Sequence, residues 1–202
     1  MPDRLFDSLR EALTRTPISD ETDLPGLRPA SVLVPLHARE REVEIVLLQR
    51  SEDLPHHAGQ IAFPGGSRDE DEDDLACALR EAREEVGLDP SRVNVLGSVE
   101  PCTTPTGFRI APFVGRLLVE PSALRPDPGE VARIFTLSLG ELTAPGVYRR
   151  AHLPDGRPLE AFVCRDEVVW GATARILRRV LELALGEAPR SEGPFPWSRL
   201  RF

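Results

Sequence analysis

The sequence predicts a mixed α/β architecture, and three observations carry that prediction. Several short segments are rich in β-branched and apolar residues, two longer ones repeat apolar residues at helical spacing, and Gly- and Pro-rich stretches separate them. Residues 1–13 read as a short amphipathic helix with Leu5, Leu9 and Leu13 on one face, followed by the turn-rich connector TPISDETDLPGLRP, so that 1–28 form an N-terminal helix and its connector. Residues 31–36 and 43–49 read as a hairpin around the polar HAREREV, and 60–63 as a further strand stopped by Pro64-Gly65-Gly66. From Asp73 or Asp74, either of which suits an N-cap, a helical pattern runs to Val86, and Gly87 stands where a C′ glycine ends a helix. Residues 93–99 and 109–119 read as strands joined by PCTTPTG, 121–130 as a proline-rich loop, and 131–137 as another strand. Residues 140–168 give a loop and a hairpin around Pro154-Asp155-Gly156. Residues 171–185 form a second strong helix with Ile176, Leu177, Val180, Leu181 and Ala184 on one face, and 187–202 a loosely structured tail. At 202 residues, 41% hydrophobic and without internal repeat or low-complexity linker, the chain is expected to be a single domain over 1–202 with a sizeable core.

Composition excludes several kinds of chemistry. All 25 cationic side chains are arginine, which removes Schiff-base catalysis, a P-loop lysine and a lysine general base. A net charge of −8 argues against a nucleic-acid partner. No apolar run approaches the ~18 residues of a membrane span, and MPDRLFDSLREAL carries acids among its bases, unlike a signal peptide. The expected location is therefore the cytoplasm, with no membrane partner, and no feature specifies an oligomeric state. Cys77, Cys102 and Cys164 are odd in number, far apart and without a C-x-x-C pair, so reduced thiols are expected.

The charge is unevenly spread. Between Gly66 and Asp89 stand ten acids and three arginines, a difference of −7 and nearly the whole net charge. Such self-repulsion calls for something positive within it, and a divalent cation comes first. On the helix, Glu81, Glu84 and Glu85 are three and four apart and share one face, while Leu75, Ala78, Leu79, Ala82 and Val86 can pack on a sheet. A face dense in carboxylate oxygens suits Mg²⁺ or Mn²⁺. Arg80, four before Glu84, can orient a carboxylate by charge-assisted hydrogen bonds. REAREE alone fits a solvated, ion-paired helix equally well; the surrounding spacing decides.

That spacing matches the Nudix box, G-x5-E-x7-R-E-U-x-E-E-x-G-U, at Gly66, Glu72, Arg80, Glu81, Glu84, Glu85 and Gly87, with Leu88 and a smaller-than-usual Ala82 at the aliphatic positions. The chain thus resembles the Nudix hydrolases. The resemblance implies a Nudix-type α/β/α sandwich with a mixed β-sheet, and Mg²⁺ or Mn²⁺ held by Glu81, Glu84, Glu85 and the Gly66 carbonyl. It gives catalytic roles to Arg80, Glu81 and Glu84, and a proton acceptor on a box glutamate or a later loop, where Glu130 and Glu100 are the candidates. Upstream, VLLQRSEDLPHHAGQIAFPGG is similar to the signature of the coenzyme A pyrophosphatase branch, L-L-T-x-R-S-x3-R-x3-G-x3-F-P-G-G. Leu48 stands for its threonine and Pro55 for its second arginine, with His56 and His57 beside the latter. PCTTPTGFRIAPFVG and VVWGATARIL also look like this branch. The implied substrate contacts are Arg50, Ser51, His57, Gly59, Phe63 and Gly65, with Arg109 a further phosphate partner. The implied substrate is coenzyme A or a derivative, cleaved at its diphosphate to 3′,5′-ADP and 4′-phosphopantetheine. The alternatives are another nucleoside diphosphate derivative, such as ADP-ribose or a dinucleotide, and a non-catalytic metal- or nucleotide-binding module. The last gains little from so much clustered repulsion.

Overall fold

Strand β2 (Glu42–Arg50) buries four consecutive residues, Ile45, Val46, Leu47 and Leu48, completely. Alternate side chains of a strand point to opposite faces, so an unbroken buried run requires cover on both sides. In the computed structural model, which describes residues 2–15 and 26–200, that cover is present. Ile45 and Leu47 join a cluster with Phe6, Leu9 and Leu13 of helix α1 (Pro2–Arg15) and Ile176, Leu177 and Leu181 of helix α4 (Gly171–Leu185). Val46 and Leu48 join another with Ala78, Ala82 and Val86 of helix α2 (Asp74–Val86). The result is the expected α/β/α sandwich. Helix α1 buries Phe6 beside the anticipated Leu9 and Leu13, while Leu5 is half-buried. The connector expected after it lies, up to residue 25, outside the described residues.

The main sheet is mixed, as expected. Strand β1 (Arg28–Arg39) pairs antiparallel with β2 across the two-residue turn Glu40-Arg41, and parallel with β7 (Phe108–Leu117). Strand β5 (Val93–Ser98) pairs antiparallel with β7, and β8 (Val131–Ser138) with β2. Three short strands complete it: β3 (Ile61–Ala62) on β2, β4 (Gly65–Ser67) on β1 and β6 (Cys102–Thr103) on β7. Two of these correct the sequence reading. Gly65 and Gly66 do not merely end a strand but form β4, because they pair with the distant β1, and PCTTPTG is not only a turn, because its Cys102 and Thr103 fold back as a hairpin on Ile110 and Arg109 of β7.

A smaller antiparallel sheet holds β9 (Tyr148–His152), β10 (Pro158–Cys164) and β11 (Glu167–Trp170), in the order β11-β10-β9. The hairpin around Pro154-Asp155-Gly156 is β9–β10; β11 was not anticipated. A one-turn helix, α3 (Leu139–Leu142), is closed by a capping box in which Ser138 and Glu141 exchange hydrogen bonds. In the tail, Ser191 Oγ accepts from the Arg150 N–H at 2.9 Å, and the Glu192 N–H donates to the Tyr148 carbonyl at 3.2 Å. The tail therefore follows β9.

Helix α2 begins and ends where its caps require. Asp73 accepts from the Ala76 N–H at 2.7 Å, and Gly87 takes the left-handed conformation, φ 66°, that a C′ residue needs. Its first residue also has a tertiary role. Asp74 receives Arg68 and Arg109, each at 3.0 Å, and Arg109 on β7 is only 3% exposed. Removing Asp74 leaves a buried guanidinium uncompensated, whereas removing Asp73 costs only a cap. Asp74→Ala should therefore lower the unfolding free energy by about 3 kcal/mol or more and Asp73→Ala by about 1 kcal/mol, read from urea transitions followed by circular dichroism. Equal losses would show that the Asp74 pairs contribute no more than a cap does.

Candidate active site

The site is built where β4 crosses between β1 and α2. Gly65 lies at φ 158°, and a Cβ there would stand 2.3 Å from the Ser31 carbonyl oxygen and 2.7 Å from Val32 Cα. Only glycine allows the approach. At Gly66 a Cβ would meet the end of the Glu81 side chain at 2.5 Å, so any larger residue would displace that carboxylate. Two successive glycines thus bring bare backbone against the acidic stripe of the helix.

Cys77, Glu81 and Glu85, spaced four apart, form the stripe that faces this backbone. The Cys77 thiol donates to the Gly66 carbonyl at 3.6 Å, and burial pushes its pKa up to about 11. Glu85, 1% exposed, accepts the Gly65 N–H through Oε2 at 2.9 Å. Its Oε1 lies 3.5 Å from Arg50 Nη1 and makes no hydrogen bond, and neither does the buried Arg50 Nε. The three glutamates expected on one face are therefore divided by depth: Glu85 is enclosed, Glu81 is half-buried, and Glu84 is exposed.

Arg80 organises the outer carboxylates. Its Nη1 donates to Glu81 Oε1 and Glu84 Oε2, both at 2.9 Å, and its Nη2 reaches Glu72 Oε1 at 2.7 Å and the Ser67 carbonyl at 3.1 Å. The Arg80 hydrogen bonds hold Glu72 below its ordinary pKa, and Glu72 in turn accepts the Asp69 N–H at 3.0 Å. The expected Arg80–Glu84 contact is present, but as one arm of a wider clamp. Among the described residues, no group of three or more His, Cys, Asp or Glu is gathered so as to hold a metal ion. Glu81 and Glu84 are turned to Arg80 instead.

The loop of residues 121–130 docks on the end of α2. The Arg125 and Asp127 N–H groups donate to the Val86 and Glu85 carbonyls at 2.9 Å each. This brings Glu130 to the site: its carbonyl accepts the Ser51 N–H at 2.8 Å, and its charge adds a little to the upward shift that burial gives the pKa of both Glu81 and Glu85. Glu100 is committed elsewhere, held by Arg179 through two hydrogen bonds of 3.0 and 2.9 Å that lower its pKa.

The upstream segment supplies a mixed set. Arg50 and Gly65 meet Glu85, and Ser51, mostly buried, lies under Glu130. His57 is exposed, its Nδ1 3.0 Å from Gln60 Oε1, and the Gly59 carbonyl accepts Gln49 Nε2 at 3.4 Å. Phe63 is packed in the larger core cluster, a packing position rather than a solvent-facing one. Arg109, expected beside substrate phosphates, is instead the buried partner of Asp74, because β7 carries it beneath the start of α2. Cys77 was passed over, although its spacing of four from Glu81 signals the shared stripe.

Burial of the Glu85 carboxyl pushes its pKa from an ordinary 4.5 up to about 7, against the opposing pull of the Gly65 N–H and Arg50. A carboxyl raised in the folded state binds its proton more tightly there than in the unfolded chain. It therefore contributes stability that is complete below pH 4.5 and is lost as the pH rises to about 7. Glu85→Gln keeps the shape without the charge and should remove that loss. In chelator, the wild type should lose roughly 2 kcal/mol more than the variant between pH 5 and pH 8. Parallel pH profiles in urea unfolding would show that Glu85 is ionised throughout.

The chain resembles known proteins in sequence and in fold. Residues 27–159 match the family model described as NUDIX domain. The chain is 36% identical over 192 residues to a Shigella flexneri protein named uncharacterized Nudix hydrolase NudL, covering 91% of this chain and 93% of that one. A Citrobacter koseri protein of the same name is 38% identical over 188 residues, covering 89% and 93%. Among solved structures, a NUDIX hydrolase from Nitrosomonas europaea superposes with a TM-score of 0.54 over 84% of this chain and 78% of that one, at 16% identity, a likeness of fold. With its box helix matched within the domain and relatives aligned over nine-tenths of their length, the chain belongs to the Nudix hydrolase family.

Proposed function

We propose that this Nudix hydrolase uses Mg²⁺ or Mn²⁺ to cleave the diphosphate of coenzyme A and its derivatives, releasing 3′,5′-ADP and 4′-phosphopantetheine. What supports the reading is the meeting of two segments at one carboxylate: Glu85 of the box takes the Gly65 N–H at 2.9 Å and faces Arg50 at 3.5 Å, both from the coenzyme A-like signature. The donor set fits a hard divalent cation. Its atoms are carboxylate and carbonyl oxygens, one of them, Glu85 Oε1, is buried without a hydrogen-bond donor, and the bare Gly66 backbone lies against Glu81. Glu81, Glu84, Glu85 and the Gly66 carbonyl would hold it, with Glu81 or Glu84 exchanging a bond to Arg80 for the ion.

Bound cations supply neutralisation of the diphosphate oxygens and acidify water. The chain does the rest. Arg50 pairs with a phosphate, fixing the diphosphate beside Glu85. Arg80 keeps Glu72, Glu81 and Glu84 from springing apart when the site is empty. Glu130, exposed on its loop, accepts the proton of the attacking water; the water oxygen bonds to one phosphorus as the bridging P–O bond breaks, and the departing phosphate carries the bridging oxygen. Glu100, paired with Arg179, does not serve. The proline at position 55, where the signature has arginine, favours as second reading a related nucleoside diphosphate substrate such as ADP-ribose.

A panel of coenzyme A, ADP-ribose and NADH with product masses tests the assignment. Coenzyme A should give the two named products with thiol and 3′-phosphate intact, and a marked preference for ADP-ribose would move the assignment to the second reading. Chelator should abolish turnover and Mg²⁺ or Mn²⁺ restore it; undiminished hydrolysis in chelator sinks the mechanism. Glu85→Gln should lower kcat by roughly 10²-fold or more while the fold persists.

A further inference from the structure

Two segments singled out in the sequence take no part in the chemistry above: the Gly59-Gln60 end of the upstream signature and the Trp170 of VVWGATARIL. They meet in one cavity of about 330 Å³. One wall is a cross-strand row of the main sheet, in which Arg133 of β8 and Ile61 of β3 both lie in register with Gln49 of β2. Arg133 Nε donates to Gln49 Oε1 at 2.7 Å, and Gln49 Nε2 to the Gly59 carbonyl, so this wall is held in place. The facing wall is β11, whose Val168 and Trp170, two apart, share a face, with Val169 buried in the core behind them. Arg199 of the C-terminal segment closes one side, bound to the Asp166 carbonyl at 2.9 Å.

We propose that this cavity receives the purine base of the substrate, stacked on Trp170, while the diphosphate lies at Glu85. The placement rests on the diphosphate reading above. Gln49 and Arg50 are consecutive at the end of β2, and the Arg50 N–H donates to the carbonyl of Gln60, itself a cavity residue, at 2.9 Å, so the cavity borders the strand end that carries Arg50. The lining selects for a planar ring with polar edges over a flexible aliphatic arm. It offers one half-buried indole, small apolar contacts from Ile61 and Val168, and around them the Gln49 amide and the Arg133–Glu167 ion pair, whose 2.6 Å contact joins the two walls. Stacking on an indole tolerates any base, and the polar rim can read its edge.

The test uses the full chain in Trp197→Phe background, which leaves Trp170 as the reporter. In chelator, AMP should quench its fluorescence saturably, and ribose 5-phosphate and 4′-phosphopantetheine should not. Absence of an AMP effect, or quenching by 4′-phosphopantetheine instead, overturns the base site. In steady state, Trp170→Ala should raise KM for coenzyme A about tenfold or more with kcat little changed, and Trp170→Phe should restore most of it. Loss of kcat alone, in a variant of unchanged circular dichroism, would also overturn it. Failure of this proposal differs from failure of the diphosphate reading: normal coenzyme A turnover without AMP quenching defeats the cavity alone, and AMP quenching without coenzyme A turnover defeats the substrate assignment alone.

Discussion

The closeness of Gly65 and Gly66 to their neighbours is the constraint on which the site depends. Backbone without side chains is admitted between β1 and α2, and this lets one N–H reach a carboxylate that is otherwise cut off from water. A buried carboxylate left with one free oxygen is costly in a folded protein. Here the cost falls on a carboxylate proposed above to hold the cation, which accords with the general tendency of strained electrostatics to gather at functional sites.

Around that centre, the acidic segment is kept together by arginine geometry rather than by numbers. One guanidinium, Arg80, spans Glu72, Glu81 and Glu84, and one carboxylate, Asp74, spans Arg68 and Arg109. The first arrangement is exposed enough to rearrange, and the second is buried enough to anchor. Planar, multidentate groups suit both tasks, and a lysine could reproduce neither fork.

What could be read from sequence alone divides along the same line between local and distant contacts. The limits of α2 follow from Asp73 and Gly87, residues that act within one turn of the helix. The two-sided burial of β2 follows from an unbroken apolar run. Strands β4, β6 and β11 were illegible because two to four residues are too few to show a period: β4 takes its partner from β1, far along the chain, while β6 and β11 fold back on the neighbouring β7 and β10. At the site, the box spacing identified the carboxylates, but their division by depth depends on where the sheet lies, and the burial of Arg109 on a strand that is a neighbour of α2 only in space. Phe6 escaped notice for a smaller reason: it stands one residue off the Leu5-Leu9-Leu13 row yet still on the packed side.

Return to the two-sided strand β2. A strand with one wet face carries its alignment along its whole length, because sliding by one residue would expose its apolar set; within Ile45–Leu48, apolar on both faces, a slide exchanges one buried side chain for another, and only the polar Glu44 and Gln49 at the ends of the run oppose it. The tight Glu40-Arg41 turn at one end and the glycine crossing near the other reinforce that alignment. A slip of one position would bring Gln49 to the place of Arg50 and leave Glu85 facing a neutral amide. The pairing of Arg50 with Glu85 is therefore indexed in part by a turn at the far end of the hairpin, whose two residues are exposed.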